Sequence, residues 1–88
     1  MNHNVEENVV RSFTIEGIDQ RILFGQNDVF LRIIEARMGP KIVARGDKIV
    51  VEGLPETVER VVRLLNVLVT RIKQGDVITE QYLLYAIA

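Results

Sequence analysis

The stretch that decides the fold is LFGQNDVFLRIIEARMGPKIVARGDKIVVEG, Leu23 to Gly53. It predicts the end of one helix, a second helix and a β-hairpin. Gly25 ends the first helix, and Gly39-Pro40 ends the second, because glycine tolerates a left-handed cap and proline cannot continue the helical hydrogen bonds. The apolar alternation of KIVARGDKIVVEG then predicts two strands joined by a turn at Gly46-Asp47.

The residues before this stretch predict a strand and a short helix. From Arg11 to Ile18, apolar and polar residues alternate with a period of two, which is typical of a half-buried strand. Asp19 is placed to cap a helix over 20–24, because a carboxylate accepts hydrogen bonds from the free amides of a first turn. By the same reasoning, Asn27 or Asp28 can cap the second helix, and Asp28 is the residue that we predict to do so.

Two further helices follow the hairpin. Pro55 opens the longer one, predicted to run to Gln74, and its core face is formed by residues at helical spacing: Val58, Val61, Val62, Leu65, Leu68, Val69 and Ile72. Pairs of opposite charge four residues apart on this helix, Glu56 with Arg60 and Glu59 with Arg63, predict a solvated face. Thr79 is placed to cap the last helix, with Ile78 and Leu83 as a hydrophobic staple.

These elements predict an α+β fold in the order βααββα with a C-terminal helix. A three-stranded sheet is expected to be packed by helices on one face. We expect a flexible N-terminal tail over 1–10, the folded domain over 11–75, and a C-terminal helix over 76–88 that leads to a further domain. The apolar residues of that last helix are expected to contact the following domain or another copy of the chain; they are Tyr82, Leu83, Leu84, Tyr85 and Ile87.

Composition limits the function classes. The chain has 88 residues, 48% of them hydrophobic and 26% charged, which fits one small domain, and it contains no cysteine for a disulfide or a thiolate zinc site. Its net charge of -1 gives no overall attraction to nucleic acid, so any such affinity has to be local. Neither a signal peptide nor an apolar run of bilayer length is present, so we expect a cytoplasmic location and no membrane partner.

The predicted order of elements, with a glycine loop between the first two helices, resembles the K homology (KH) domain of type I. In that domain a GXXG loop clamps nucleic-acid backbone, because glycines allow close approach to phosphates. Here the loop is GQND, and Asp28 stands where the second glycine would be. A negative charge therefore faces the expected phosphate position.

The residues also resemble, more narrowly, the N-terminal domain of the PhoH-like proteins. The matching positions are Leu23, Phe24, Gly25, Asp28, Leu31, Ile34, Glu35, Gly39, Ile42, Arg45, Gly46, Ile49 and Gly53. The resemblance implies a cytoplasmic P-loop ATPase, associated with phosphate starvation and RNA metabolism, whose nucleotide-binding domain follows this one. ATP and magnesium are expected only in that following domain, because the chain lacks GxxxxGK[ST]: its nearest approach, GPKI at 39–42, has neither the first glycine nor the hydroxyl. We therefore expect no catalysis and no cofactor in this chain.

Two functions remain open at this point. One is protein docking or assembly, with the downstream ATPase domain or with a second copy, and Asp28 and the missing positive charge favour it. The alternative is weak binding of single-stranded RNA. The residues that would contact RNA are Arg21, Gly25, Gln26, Asn27, Arg32, Lys41, Arg45 and Lys48, some of which could form a basic strip along the loop side of the sheet. Ordinary surface charge explains the same basic residues, and it is the interpretation that we favour.

Overall fold

The computed structural model describes residues 7–88, and the first six residues of the predicted tail lie outside the described residues. The elements are β1 (Val9–Thr14), α1 (Gln20–Phe24), a tight 3-10 turn (Gln26–Asp28), α2 (Val29–Met38), β2 (Lys41–Arg45), β3 (Lys48–Gly53), α3 (Pro55–Lys73) and α4 (Glu80–Ile87). The predicted α+β class is confirmed. None of the helices within this part of the chain is both long enough and apolar enough to cross a bilayer.

The sheet is antiparallel, with the strand order β1-β3-β2. In the predicted hairpin, Ile42 lies opposite Val51 and Ala44 lies opposite Ile49. Ile42, Ile49 and Val51 are buried, whereas the alternate positions of the hairpin are half-buried or exposed. The alternation of apolar and polar residues therefore predicts the inner face of the hairpin correctly.

The first strand begins earlier and ends earlier than the sequence predicts. It starts at Val9 rather than Arg11 and ends at Thr14 rather than Ile18. Val9 and Val10 pair with β3, so they do not belong to a tail. The sequence missed them because β1 is an edge strand, where Val10 is 62% exposed, and an exposed strand end carries no alternation of apolar and polar residues.

The long helix α3 supports the sheet from one side. It contacts β3 and β1, while α2 contacts β2. The predicted core face is confirmed at Val58, Val61, Leu65 and Leu68, which are all buried. The other predicted members are half-buried, namely Val62, Val69 and Ile72, and Leu64, outside the predicted face, is buried as well. Leu64 lies on the flank of α3 that faces Met38 of α2 and Ile87 of α4.

The last helix is anchored to the rest of the domain. The Thr79 hydroxyl accepts a hydrogen bond from the Tyr82 amide at 3.0 Å, as predicted, and Ile78 and Leu83 are both buried. The Arg71 guanidinium lies 4.7 Å above the Tyr82 ring centroid. Of its five apolar residues that are expected to contact a further domain or a second copy, Leu83 is buried, Tyr82, Leu84 and Ile87 are half-buried, and Tyr85 is exposed.

Candidate functional site

Asp19 caps α1 and also forms an ion pair with Arg21, which is one of the residues predicted to contact RNA. Its Oδ1 accepts from the Arg21 amide at 2.8 Å, and its Oδ2 accepts from Arg21 Nη2 at 2.9 Å. The hydrogen bonds from the Arg21 side chain and amide hold the pKa of Asp19 below its ordinary value, and the same contact raises the pKa of Arg21. The cap is confirmed, and the Arg21 charge is already paired within α1.

The GQND loop (Gly25–Asp28) joins α1 to α2 through three residues with positive φ. Gly25 has φ 76°, and Asn27 and Asp28 both have φ 57°. A Cβ atom at Gly25 would lie 2.9 Å from Val29 Cγ1 and 3.1 Å from Phe30 Cδ2. Gly25 is therefore needed both for its backbone conformation and for the close approach of α2.

Asp28 does not cap α2 through its side chain, and that prediction is wrong. Asp28 occupies the position just before the helix, but its carboxylate accepts no hydrogen bond from the first turn. Side-chain capping needs an extended backbone at this position, and the left-handed conformation of Asp28 turns the side chain away from those amides. The carboxylate is exposed at the loop, with its charge facing solvent.

The structure brings three of the predicted RNA-contacting residues together. Arg21, Gln26 and Asn27 line an open cavity of about 550 Å³ together with Asp19 and Ile22. The cavity contains one acidic and one basic side chain, and these form an ion pair with each other. Its walls therefore supply amide groups but no net positive charge for a phosphate.

The remaining basic candidates do not form one continuous strip. Lys41 begins β2 and lies opposite Glu52, whereas Arg45 ends β2 and lies opposite Lys48. At about 3.3 Å per residue, Lys41 and Arg45 are about 13 Å apart along the strand. Arg32 is exposed on α2. The hairpin end thus carries two adjacent cations, and Lys41 lies at the other end beside a carboxylate.

An apolar groove between α2, α3 and α4 was not predicted from the sequence. It has a volume of about 350 Å³. We call it the helix groove and define it by its lining residues: Met38, Arg60, Arg63, Leu64, Val67, Ala86, Ile87 and Ala88. The apolar members come from three helices, so local periodicity could not place them side by side.

Two arginines border the helix groove. Arg60 and Arg63 are exposed, as the prediction of a solvated face required. Among the residues that the structure describes, no ion pair joins either arginine to Glu56 or Glu59, although these four side chains line a neighbouring depression. Both guanidinium groups therefore lie at the border of the groove with no ion pair among the described residues. Across residues 7–88, no group of three or more His, Cys, Asp and Glu side chains is arranged to hold a metal ion.

Comparison with known proteins gives one informative relative. The chain is 38% identical over 65 residues to a PhoH-like protein of Bacillus subtilis (strain 168). The match covers 74% of this chain and 20% of that protein, so the chain spans about a fifth of the length of its relative. No protein-family profile matches the chain, and no solved structure shows a significant match.

Proposed function

We propose that this chain is a non-catalytic accessory domain of a PhoH-like P-loop ATPase and that it serves protein docking or assembly. The similarity over 65 residues to the Bacillus subtilis protein supports the relationship to that family. The chain carries no GxxxxGK[ST] sequence, so ATP and magnesium are assigned to the ATPase domain. The cytoplasm is the location that goes with this assignment.

The helix groove is the observation that carries the proposal. Its apolar lining includes Val67, which is 47% exposed, and the side chains of Met38 and Ile87, which are half-buried. Burial of such apolar surface under a partner is favourable, because it removes the surface from water. Arg60 and Arg63 at the border select a partner that presents acidic residues around an apolar anchor. We therefore propose that the groove binds a segment of the ATPase domain that presents acidic residues around an apolar side chain.

Weak binding of single-stranded RNA is the second candidate. The loop between α1 and α2 and the antiparallel three-stranded sheet support a KH-like fold, and Arg45 and Lys48 place two cations side by side. Against RNA binding, Asp28 exposes a carboxylate at the loop, and Arg21 is paired with Asp19. These charges disfavour a phosphate at the loop, so docking is the primary proposal.

The docking proposal is tested by calorimetry with the ATPase region of a PhoH-like protein from the same organism, produced as a separate chain. We expect saturable binding that Val67→Asp weakens at least tenfold, because it puts a charge into the apolar groove. The matched control is Val77→Asp, since Val77 is 84% exposed and lies outside the groove. Equal binding by both variants would contradict the proposal.

The RNA alternative is tested by fluorescence anisotropy with a labelled single-stranded RNA at low and high salt. We expect little binding by the natural chain and stronger binding by Asp28→Asn, which removes the negative charge and tolerates the left-handed backbone. Because Asp28 makes no capping hydrogen bond, this substitution should change the free energy of unfolding by less than about 0.5 kcal/mol. Tight binding by the natural chain that Asp28→Asn weakens would make the loop an RNA site.

A further inference from the structure

The outer edge of β1 presents unpaired backbone groups. The Ile15 amide donates a hydrogen bond to the Asp47 carbonyl at 2.8 Å. This bond shows which residues of β1 direct their backbone groups towards β3. Successive residues of an antiparallel strand direct their N–H and C=O groups to opposite sides of the strand. The backbone groups of Val10, Ser12 and Thr14 therefore point away from β3. Among the described residues, no backbone hydrogen bond is made along this edge. Such an edge is a template for another strand.

We propose that β1 pairs antiparallel with β1 of a second copy of this chain, about a two-fold axis at Ser12. The two sheets of three strands would then form one continuous sheet of six. This surface lies on the opposite side of α3 from the helix groove. The proposal therefore goes beyond the docking function and stands independently of it.

The side chains of β1 favour this register over its neighbours. With Ser12 opposite its own copy, Val10 lies opposite Thr14, and Arg11 lies opposite Phe13 of the second copy. The arginine can then stack on an aromatic ring. A shift of the two-fold axis to residue 11 would put two Arg11 side chains opposite each other, and like charges in that position destabilise a strand pair.

A shift of the axis to residue 13 is also less favourable. It would place Val10 opposite Glu16, which lies beyond the end of β1, and would leave fewer strand residues paired. The Ser12 register pairs the whole of Val10–Thr14 with itself and opposes no like charges. Of these three registers, the Ser12 register is the one that both pairs five residues of β1 and opposes no like charges.

The helix α3 offers apolar surface beside the same edge. It starts where Gly53 pairs with Val9 and runs alongside β1 in the same direction. Val62 is about 10 Å from the start of α3, and Ser12 is about 10 Å from Val9, so the two are level. Val62 and Val69 are half-buried and lie on the flank of α3 opposite the helix groove. A two-fold axis at Ser12 therefore brings Val62 close to Val62 of the second copy.

Single cysteines test the register, because the natural chain contains none. Directly opposed residues that share hydrogen bonds lie about 5.5 Å apart at Cα, within disulfide range. Under mild oxidation, Ser12→Cys should form a covalent dimer at least tenfold faster than Thr14→Cys, the matched control on the same edge. A mixture of Val10→Cys and Thr14→Cys should form the mixed dimer in preference to either homodimer.

The oligomeric state tests the edge without a cysteine. Sedimentation of the 88-residue chain should show a monomer–dimer equilibrium. Ser12→Pro should shift it to monomer with an unchanged circular dichroism spectrum, because the Ser12 amide faces away from β3 and proline is tolerated on such an edge. Ser12→Thr, which keeps the amide, should still dimerise. A natural chain that stays monomeric, a dimer that survives Ser12→Pro, or equal crosslinking rates of Ser12→Cys and Thr14→Cys would each overturn the proposal.

Discussion

The Glu35 carboxylate accepts a hydrogen bond from the Ile42 amide, with 2.9 Å between Oε2 and N. Glu35 lies on α2 and Ile42 lies on β2, seven residues later, so this bond crosses the Gly39-Pro40 corner. The Ile42 amide faces away from β3, at the open edge of β2. Glu35 therefore satisfies a backbone donor that the sheet leaves unpaired, and it joins the second helix to the edge strand.

Loss of this bond should destabilise the fold. Glu35→Ala removes a charged acceptor from a partly buried amide, so we expect a loss of about 1 to 3 kcal/mol in the free energy of unfolding, measured in urea. Glu35→Gln keeps an acceptor oxygen and should lose less. Arg37→Ala, at an exposed position of the same helix, is the control and should change stability by less than about 0.5 kcal/mol. A Glu35→Ala midpoint equal to that of the control would refute the assigned role.

Gly25 should tolerate no side chain. Gly25→Ala would force a Cβ into a positive φ and bring it to 2.9 Å from Val29 Cγ1, so we expect a loss of more than about 1 kcal/mol. Gly17→Ala is the matched control, because Gly17 has φ 81° with no atom within 4 Å of the added Cβ. The control measures backbone strain alone, and the excess loss at Gly25 measures the contact with α2. Equal losses at the two glycines would show that the close approach does not matter.

The centre of α3 should be the largest single contributor to the core. Leu65 is 0% exposed and faces the sheet, so Leu65→Ala should cost about 2 to 5 kcal/mol of unfolding free energy. Asn66→Ala, at the next and exposed position, should change it by less than about 0.5 kcal/mol. Urea unfolding of the two variants distinguishes the faces of the helix, and a larger loss for Asn66→Ala would mean that the core face is misassigned.

The ion pair between Asp19 and Arg21 should make stability depend on pH in acid. The folded pKa of Asp19 lies below its unfolded value, so the pair stabilises the fold above the unfolded pKa, and that stabilisation is lost as the pH falls through the folded pKa. Asp19→Asn keeps a capping oxygen but removes the charge. The urea midpoint of the natural chain should exceed that of the variant at neutral pH, and the two should converge in acid. A difference that is independent of pH would contradict this account.

The elements of the fold could be predicted because each has a local signal. Alternation placed the inner face of the hairpin, helical spacing placed the face of α3 around Leu65, and Thr79 marked the start of α4. Residues at element ends were harder. Aspartate is a residue type that commonly caps helices, but the left-handed backbone of Asp28 prevents the cap. No local sequence pattern shows that backbone conformation.

The candidate site was less predictable than the fold. Asp19 and Arg21 are only two residues apart in the sequence. That spacing alone does not decide whether the arginine pairs with the carboxylate or stays unpaired at the surface. The helix groove depends on Met38 and Ile87, which are far apart in the chain and meet only after α2 and α4 have packed. Glu35 likewise finds its partner across a corner of the fold. Contacts of this kind carry no periodic signal in the sequence.

The most direct test of the docking account is a titration of the isotopically labelled 88-residue chain with the separate ATPase region, followed by amide chemical shifts. The account predicts that the shifts cluster at the helix groove, at Met38, Leu64 and Val67, and leave Gln26 and Asn27 unchanged. Shifts confined to Gln26 and Asn27, or no shifts with the ATPase region but loop shifts with single-stranded RNA, would contradict it.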